Sequence, residues 1–97
     1  IFYHWLLYGI KPDVRELPEN VPKQAITDYG VQGVNDFGKV GYGGPCPPPG
    51  GPHRYVFLVL GLDKKLNLPA GLRPRQLLNA VKDRIVAYGA IVGLYGR

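Results

Sequence analysis

Apolar residues fall into three blocks along this chain, separated by turn-forming chemistry. Ile1 to Ile10 is aromatic and aliphatic with few polar interruptions, the composition of a buried strand, and Lys11-Pro12-Asp13 closes it with a turn signal. Between Val14 and Gln24, Pro18 and Pro22 alternate with charges and read as an irregular surface connection. Ala25 to Gly51 concentrates glycine with Asn35-Asp36 and the run Pro45-Cys46-Pro47-Pro48-Pro49, which reads as one long loop. Loops of that length inside a small domain are more often functional than idle.

The second block, His53 to Leu60, is β-branched and aromatic, is bounded by Gly61, and is the clearest strand in the sequence. Arg73-Pro74 then opens a helix, because proline suits the first helical turn and Leu77, Leu78, Val81 and Ile85 recur at three- and four-residue spacing. Tyr88 to Tyr95 reads as a final strand, with Gly89 and Gly93 permitting bends or close packing. No internal repeat is visible.

Composition narrows the class. Hydrophobic residues make up 45% and charged residues 20% of 97 positions, ordinary for a globular domain and too apolar for a disordered chain. A chain of this size buries only about 60 to 65% of the surface its unfolded form exposes, so it holds one domain at most. No apolar run approaches the roughly 20 residues a membrane span needs. There is no methionine, and the opening on Ile-Phe-Tyr-His-Trp reads as an internal start without a signal peptide.

Twelve Lys and Arg against seven Asp and Glu give a net charge of +5, but the basic residues are scattered, so no nucleic-acid tract is expected. Cys46 is the single cysteine, which rules out an internal disulfide and gives no zinc site. A reducing, cytoplasmic compartment is the expectation.

The two histidines carry the candidate chemistry. His4 and His53 each sit at the end of an expected strand beside aromatic residues, and strand ends gather at the poles of a β-sandwich. Both imidazoles can then reach the rim of one pocket and offer N–H donors to an oxyanion, with Tyr55 adding a phenolic donor. The plain alternative for His4 is a core-edge ring bonded to a backbone carbonyl. Alternation points Arg54 to the face opposite His53 and Tyr55. The prolines from Pro45 onward, with flanking glycines, would make a stiff wall or simply a cover for a sheet edge.

Hydroxyl nucleophiles are nearly absent, since the chain has no serine and one threonine, Thr27. Cys46 with His53 is a weak nucleophile–base pair, and an inert packed thiol is the simpler reading. Gly41-Tyr42-Gly43-Gly44 lacks the spacing and the following helix of a phosphate loop. No enzyme, cofactor or metal is expected.

Taken together, His4-Trp5-Leu6-Leu7-Tyr8, then Asn35 to Pro48 with its Gly44-Pro45-Cys46-Pro47-Pro48 core, then Pro52-His53-Arg54-Tyr55-Val56-Phe57 resemble the phosphatidylethanolamine-binding protein (PEBP) family. The likeness is strongest to its bacterial and archaeal, Raf kinase inhibitor-like branch. It covers essentially the whole chain.

The resemblance implies a mainly β fold, a PEBP-like antiparallel β-sandwich with one or two peripheral helices and a small pocket at one pole for a phosphate-like anion or phospholipid headgroup. By motif, His4 and His53 would be the pocket histidines, Tyr55 would line the floor, and Gly44, Pro45 and Pro47 would form the wall. Residues 1–97 would be the C-terminal two-thirds of a single domain. The family's earlier strands, with an acidic pocket loop, have no counterpart here, which implies a companion N-terminal chain or a missing segment.

The same resemblance brings kinase-pathway regulation, a homodimer, and inhibition of serine proteases through an exposed loop as the alternative function.

Overall fold

The computed structural model describes residues 1–45 and 49–96. In chain order its elements are β1 (Leu7–Tyr8), β2 (Ile26–Thr27), β3 (Gly30–Gln32), β4 (His53–Leu62), α1 (Pro74–Val81) and β5 (Ile85–Tyr95). The fold is mainly β and wholly antiparallel: one sheet has the order β1-β3-β2, and β4 pairs with β5 in a two-stranded ribbon.

The opening block is less regular than its composition suggests. Only Leu7–Tyr8 pairs as a strand. Before it, the chain runs as a strap held by single bonds, Asp36 N to Tyr3 O at 2.8 Å, Gly43 N to His4 O at 2.8 Å and Gly33 N to Leu6 O at 3.1 Å. Those donors are spread unevenly over residues 33 to 43, so no continuous ladder forms. From Trp5 to Tyr8 burial follows the period of two, with Leu6 and Tyr8 buried and Trp5 and Leu7 half-buried.

The expected long loop hides a hairpin. Thr27 faces Gly30 across the two-residue turn Asp28-Tyr29, and the Thr27 hydroxyl donates to Gly30 O at 2.8 Å while accepting from Tyr29 N at 3.1 Å. Gly30 is required there, because a Cβ would stand 2.6 Å from Tyr8 O on the neighbouring strand.

Two buried amides hold the loops around this sheet. Gln32 accepts from Trp5 Nε1 at 2.6 Å and donates to Pro22 O at 2.7 Å and Gln24 O at 2.8 Å. Asn35 donates to Gly41 O at 2.8 Å and accepts from Phe37 N at 2.9 Å and Lys39 N at 3.2 Å. Every polar arm of both side chains is thus matched, as burial demands.

The helix begins where proline sets it, with Arg73 N capped by Gln76 Oε1 at 2.9 Å, and it buries Val81. It stops earlier than the apolar spacing suggests. Ile85 is not its last apolar residue but the first of β5, opposite Leu62, so β5 starts three residues ahead of the expected Tyr88. The β-branched pair Ile85-Val86 favours the strand, and Asp63 N bonding Arg84 O at 2.8 Å fixes the entry.

β4 forms as expected and runs on to Leu62, with a bulge at Gly61/Leu62. It is not a buried strand among the described residues, since Val56 to Val59 are all exposed. No described helix is long and apolar enough to cross a membrane.

Candidate functional site

His4 is the most tightly positioned of the expected site residues. Its backbone carbonyl accepts from Gly43 N, and its ring Nδ1 lies 2.9 Å from Gly43 O. A carbonyl oxygen can only accept, so Nδ1 carries the hydrogen. In the neutral ring the lone pair is then on Nε2, which makes no hydrogen bond among the described residues.

Aromatic rings surround that imidazole. Phe2 lies at 4.9 Å between centroids, Phe37 edge-on at 5.3 Å and Tyr55 edge-on at 5.4 Å, while Phe2 and Phe37 also meet at 4.8 Å. Each distance is within the range of favourable aromatic pairs. Phe37 is delivered by the Asn35 turn, and the Asp36 carboxylate is already engaged by Tyr3 N at 2.7 Å. A Cβ on Gly43 would run into the Phe37 ring.

The ribbon brings in the second half of the site. His53 and Tyr55 are two apart on β4 and share a face. Gly93 stands opposite Tyr55 without a side chain, and Tyr95, opposite His53, closes diagonally on Tyr55 with rings 6.5 Å apart. Tyr55 therefore bridges the His4 cluster to the face that bears His53. His53 itself is exposed and makes no ring contact or hydrogen bond to His4 among the described residues. Arg54 falls on the opposite face, opposite Leu94.

Gly44 is exposed and Pro45 half-buried, directly after the Gly43 anchor. Pro47, expected in the wall, lies outside the described residues, as does Cys46. An open groove of about 510 Å³ lies elsewhere, lined by Ile1, Tyr3, Asp36, Arg73, Arg75 and Asn79 among others, and none of the five expected residues that are described lines it. Among the described residues no group of three His, Cys, Asp or Glu side chains is placed to hold a metal ion.

Sequence reasoning missed Phe2, Phe37, Tyr95 and the carbonyl of Gly43 as parts of this cluster. Asn35-Asp36-Phe37-Gly38 carried a usable signal, because asparagine before glycine favours a tight side-chain-stabilised turn that presents the residue between.

An antiparallel β-domain with one short helix and a ring-cradled imidazole where a loop meets a strand end is the class that fold and site define. The profile described as phosphatidylethanolamine-binding protein matches residues 1–96, and the chain belongs to that family.

A UPF0098 protein of Pyrococcus horikoshii is 47% identical over 100 residues, covering 99% of this chain and 50% of the relative. A UPF0098 protein of Archaeoglobus fulgidus is 46% identical over 99 residues, covering all of this chain and 33% of the relative. Among solved structures, Escherichia coli YbcL, described as a member of the mammalian PEBP family, superposes with a TM-score of 0.85 at 30% identity, covering 99% of this chain and 62% of that one. A PEBP homolog of Chlamydia trachomatis gives a TM-score of 0.84 at 35% identity, covering 99% and 59%. The chain spans about half the length of the Pyrococcus relative.

Proposed function

We propose that this chain contributes a non-catalytic binding site for a phosphate-like anion, either free phosphate or the phosphoryl group of a lipid headgroup. His4 is the principal donor, and Tyr55 and His53 lie on the adjoining β4 face. The observation that carries the reading is the His4 ring, clamped through Nδ1 to Gly43 O with Nε2 left for a ligand.

The fixed tautomer has a direct chemical consequence. With Nδ1–H committed, Nε2 of the neutral ring presents a lone pair, and it donates to an oxyanion only as imidazolium. Charge-assisted hydrogen bonds contribute about 1.5 to 3 kcal/mol each, so two or three give modest, roughly millimolar to micromolar affinity.

The non-catalytic reading rests on the side chains present. The hydroxyl of Thr27 is consumed by its own turn, and the His4 cluster offers no hydroxyl other than the Tyr55 phenol. The cytoplasmic assignment rests on the lone Cys46. Protease inhibition has no observation of its own here, because the loop it would use includes residues 46–48.

Titration with inorganic phosphate, and separately with phosphoethanolamine, followed by NMR of the imidazole resonances tests the reading. Both ligands are expected to shift His4, and stronger binding of phosphoethanolamine would identify the headgroup as the source. Unmoved His4 signals at tens of millimolar of either ligand would sink it.

A further inference from the structure

His4 is held at Nδ1 by the carbonyl of a glycine, and a glycine-rich backbone does not aim its own carbonyls. Gly41-Tyr42-Gly43-Gly44 has three glycines in four residues, and Gly41 takes a φ of 97°, a region that side chains rarely adopt. Such a segment has many conformations to choose from, so the direction of the Gly43 carbonyl must be set from outside it.

Asn35 is the side chain in place to set it. It is 1% exposed, and its Nδ2 donates to Gly41 O at 2.8 Å. The same nitrogen stands 3.3 Å from where a Cβ on Gly43 would lie, a place the Phe37 ring also borders. Asn35 Oδ1 accepts from Phe37 N at 2.9 Å, which seats that ring 5.3 Å from the His4 imidazole. The next residue grips the strap just before His4: Asp36 N donates to Tyr3 O at 2.8 Å, and Tyr3 N donates to Asp36 Oδ2 at 2.7 Å.

One turn thus holds the chain on both sides of the bond from His4 Nδ1 to Gly43 O. The chemistry of the amide fits both tasks, because asparagine carries an acceptor for the turn and a donor for the loop carbonyl on one short side chain. Aspartate only accepts, and serine has one polar atom where asparagine has two.

We propose that Asn35 is a positioning residue for the His4 site: by tethering Gly41 O and backing Gly43, it keeps the Gly43 carbonyl on Nδ1 and so fixes the ring's tautomer. The use of Nε2 by an anion rests on the reading above, whereas the tautomer belongs to the free protein and is measured without a ligand.

Asn35→Ser retains an oxygen able to cap the turn and removes the donor to Gly41 O. Imidazole ¹⁵N resonances of the free neutral ring are expected to show Nδ1–H alone in the unmodified protein. In Asn35→Ser they are expected to show a mixture of Nδ1–H and Nε2–H forms, with the two ring nitrogens shifted toward each other. Tyr8→Phe, whose lost bonds run to Pro69 and Leu72, weakens the fold elsewhere and is expected to leave the His4 tautomer unchanged.

Should Asn35→Ser fail to fold, solvent exchange in the unmodified protein decides. The His4 Nδ1–H and the Asn35 side-chain amide are then expected to be protected to the same degree, since one local opening releases both. An unchanged tautomer in Asn35→Ser, an equal change in Tyr8→Phe, or a freely exchanging Nδ1–H beside a protected Asn35 amide would overturn the proposal. The expected tautomer change with no response of His4 to phosphate in either protein would support Asn35 and remove the anion reading alone.

Discussion

A single nitrogen decides how His4 works. Asparagine can reproduce the Nδ1–H donation to Gly43 O but has nothing at the Nε2 position. His4→Asn gives up the ring's packing on Phe2, Phe37 and Tyr55 and is expected to cost about 1 to 3 kcal/mol of stability, while phosphate binding weakens at least tenfold in the NMR titration. Gly43→Ala pushes a methyl group into Phe37 and is expected to destabilise by about 1 to 3 kcal/mol, the usual range for overpacking, with the denaturation midpoint as the readout.

At this scale the sequence named His4 and Tyr55, and the structure sets their rings 5.4 Å apart. It also left open that His4 was a core-edge ring bonded to a carbonyl, and the structure shows that bond, from Nδ1 to Gly43 O. The carbonyl partner was not legible, because it lies 39 residues away across an irregular loop.

Short elements here are held by side chains as much as by ladders. Gln32 joins the Trp5 indole to two loop carbonyls, so Gln32→Leu leaves an N–H and two carbonyls unpaired. The expected loss is roughly 3 kcal/mol, since each buried group left unsatisfied costs about 1 to 3 kcal/mol. A lowered urea midpoint with an unchanged slope would show it.

Tyr8 donates to Pro69 O at 2.6 Å and accepts from Leu72 N at 3.1 Å, tying β1 to the segment before α1. Tyr8→Phe is expected to cost about 1 to 3 kcal/mol, measured in the same way. These short strands escaped the sequence because two- and three-residue segments carry no periodicity, and Asp28-Tyr29 lacks the glycine that marks a tight hairpin. The long strand β4 and the helix start were legible for the opposite reason: β-branched runs and a proline at the first turn are strong local signals.

Across the whole molecule, two surface properties stand apart. The net charge of +5 favours anions over distances that salt screens to about 10 Å at 0.1 M, so affinity for phosphate is expected to fall with added sodium chloride. The ribbon's exposed apolar faces are the larger feature. Val56 to Val59 form a strongly apolar run in the sequence yet stand exposed among the described residues.

The proton on His4 is where the account is most directly open to measurement. Imidazole ¹⁵N resonances of His4 can be followed with and without sulfate. The expected result is an Nδ1–H tautomer in the free neutral ring, held by Gly43 O, and an Nε2 resonance that shifts on adding sulfate. A free ring protonated on Nε2, or an Nε2 resonance unmoved by sulfate, would contradict it.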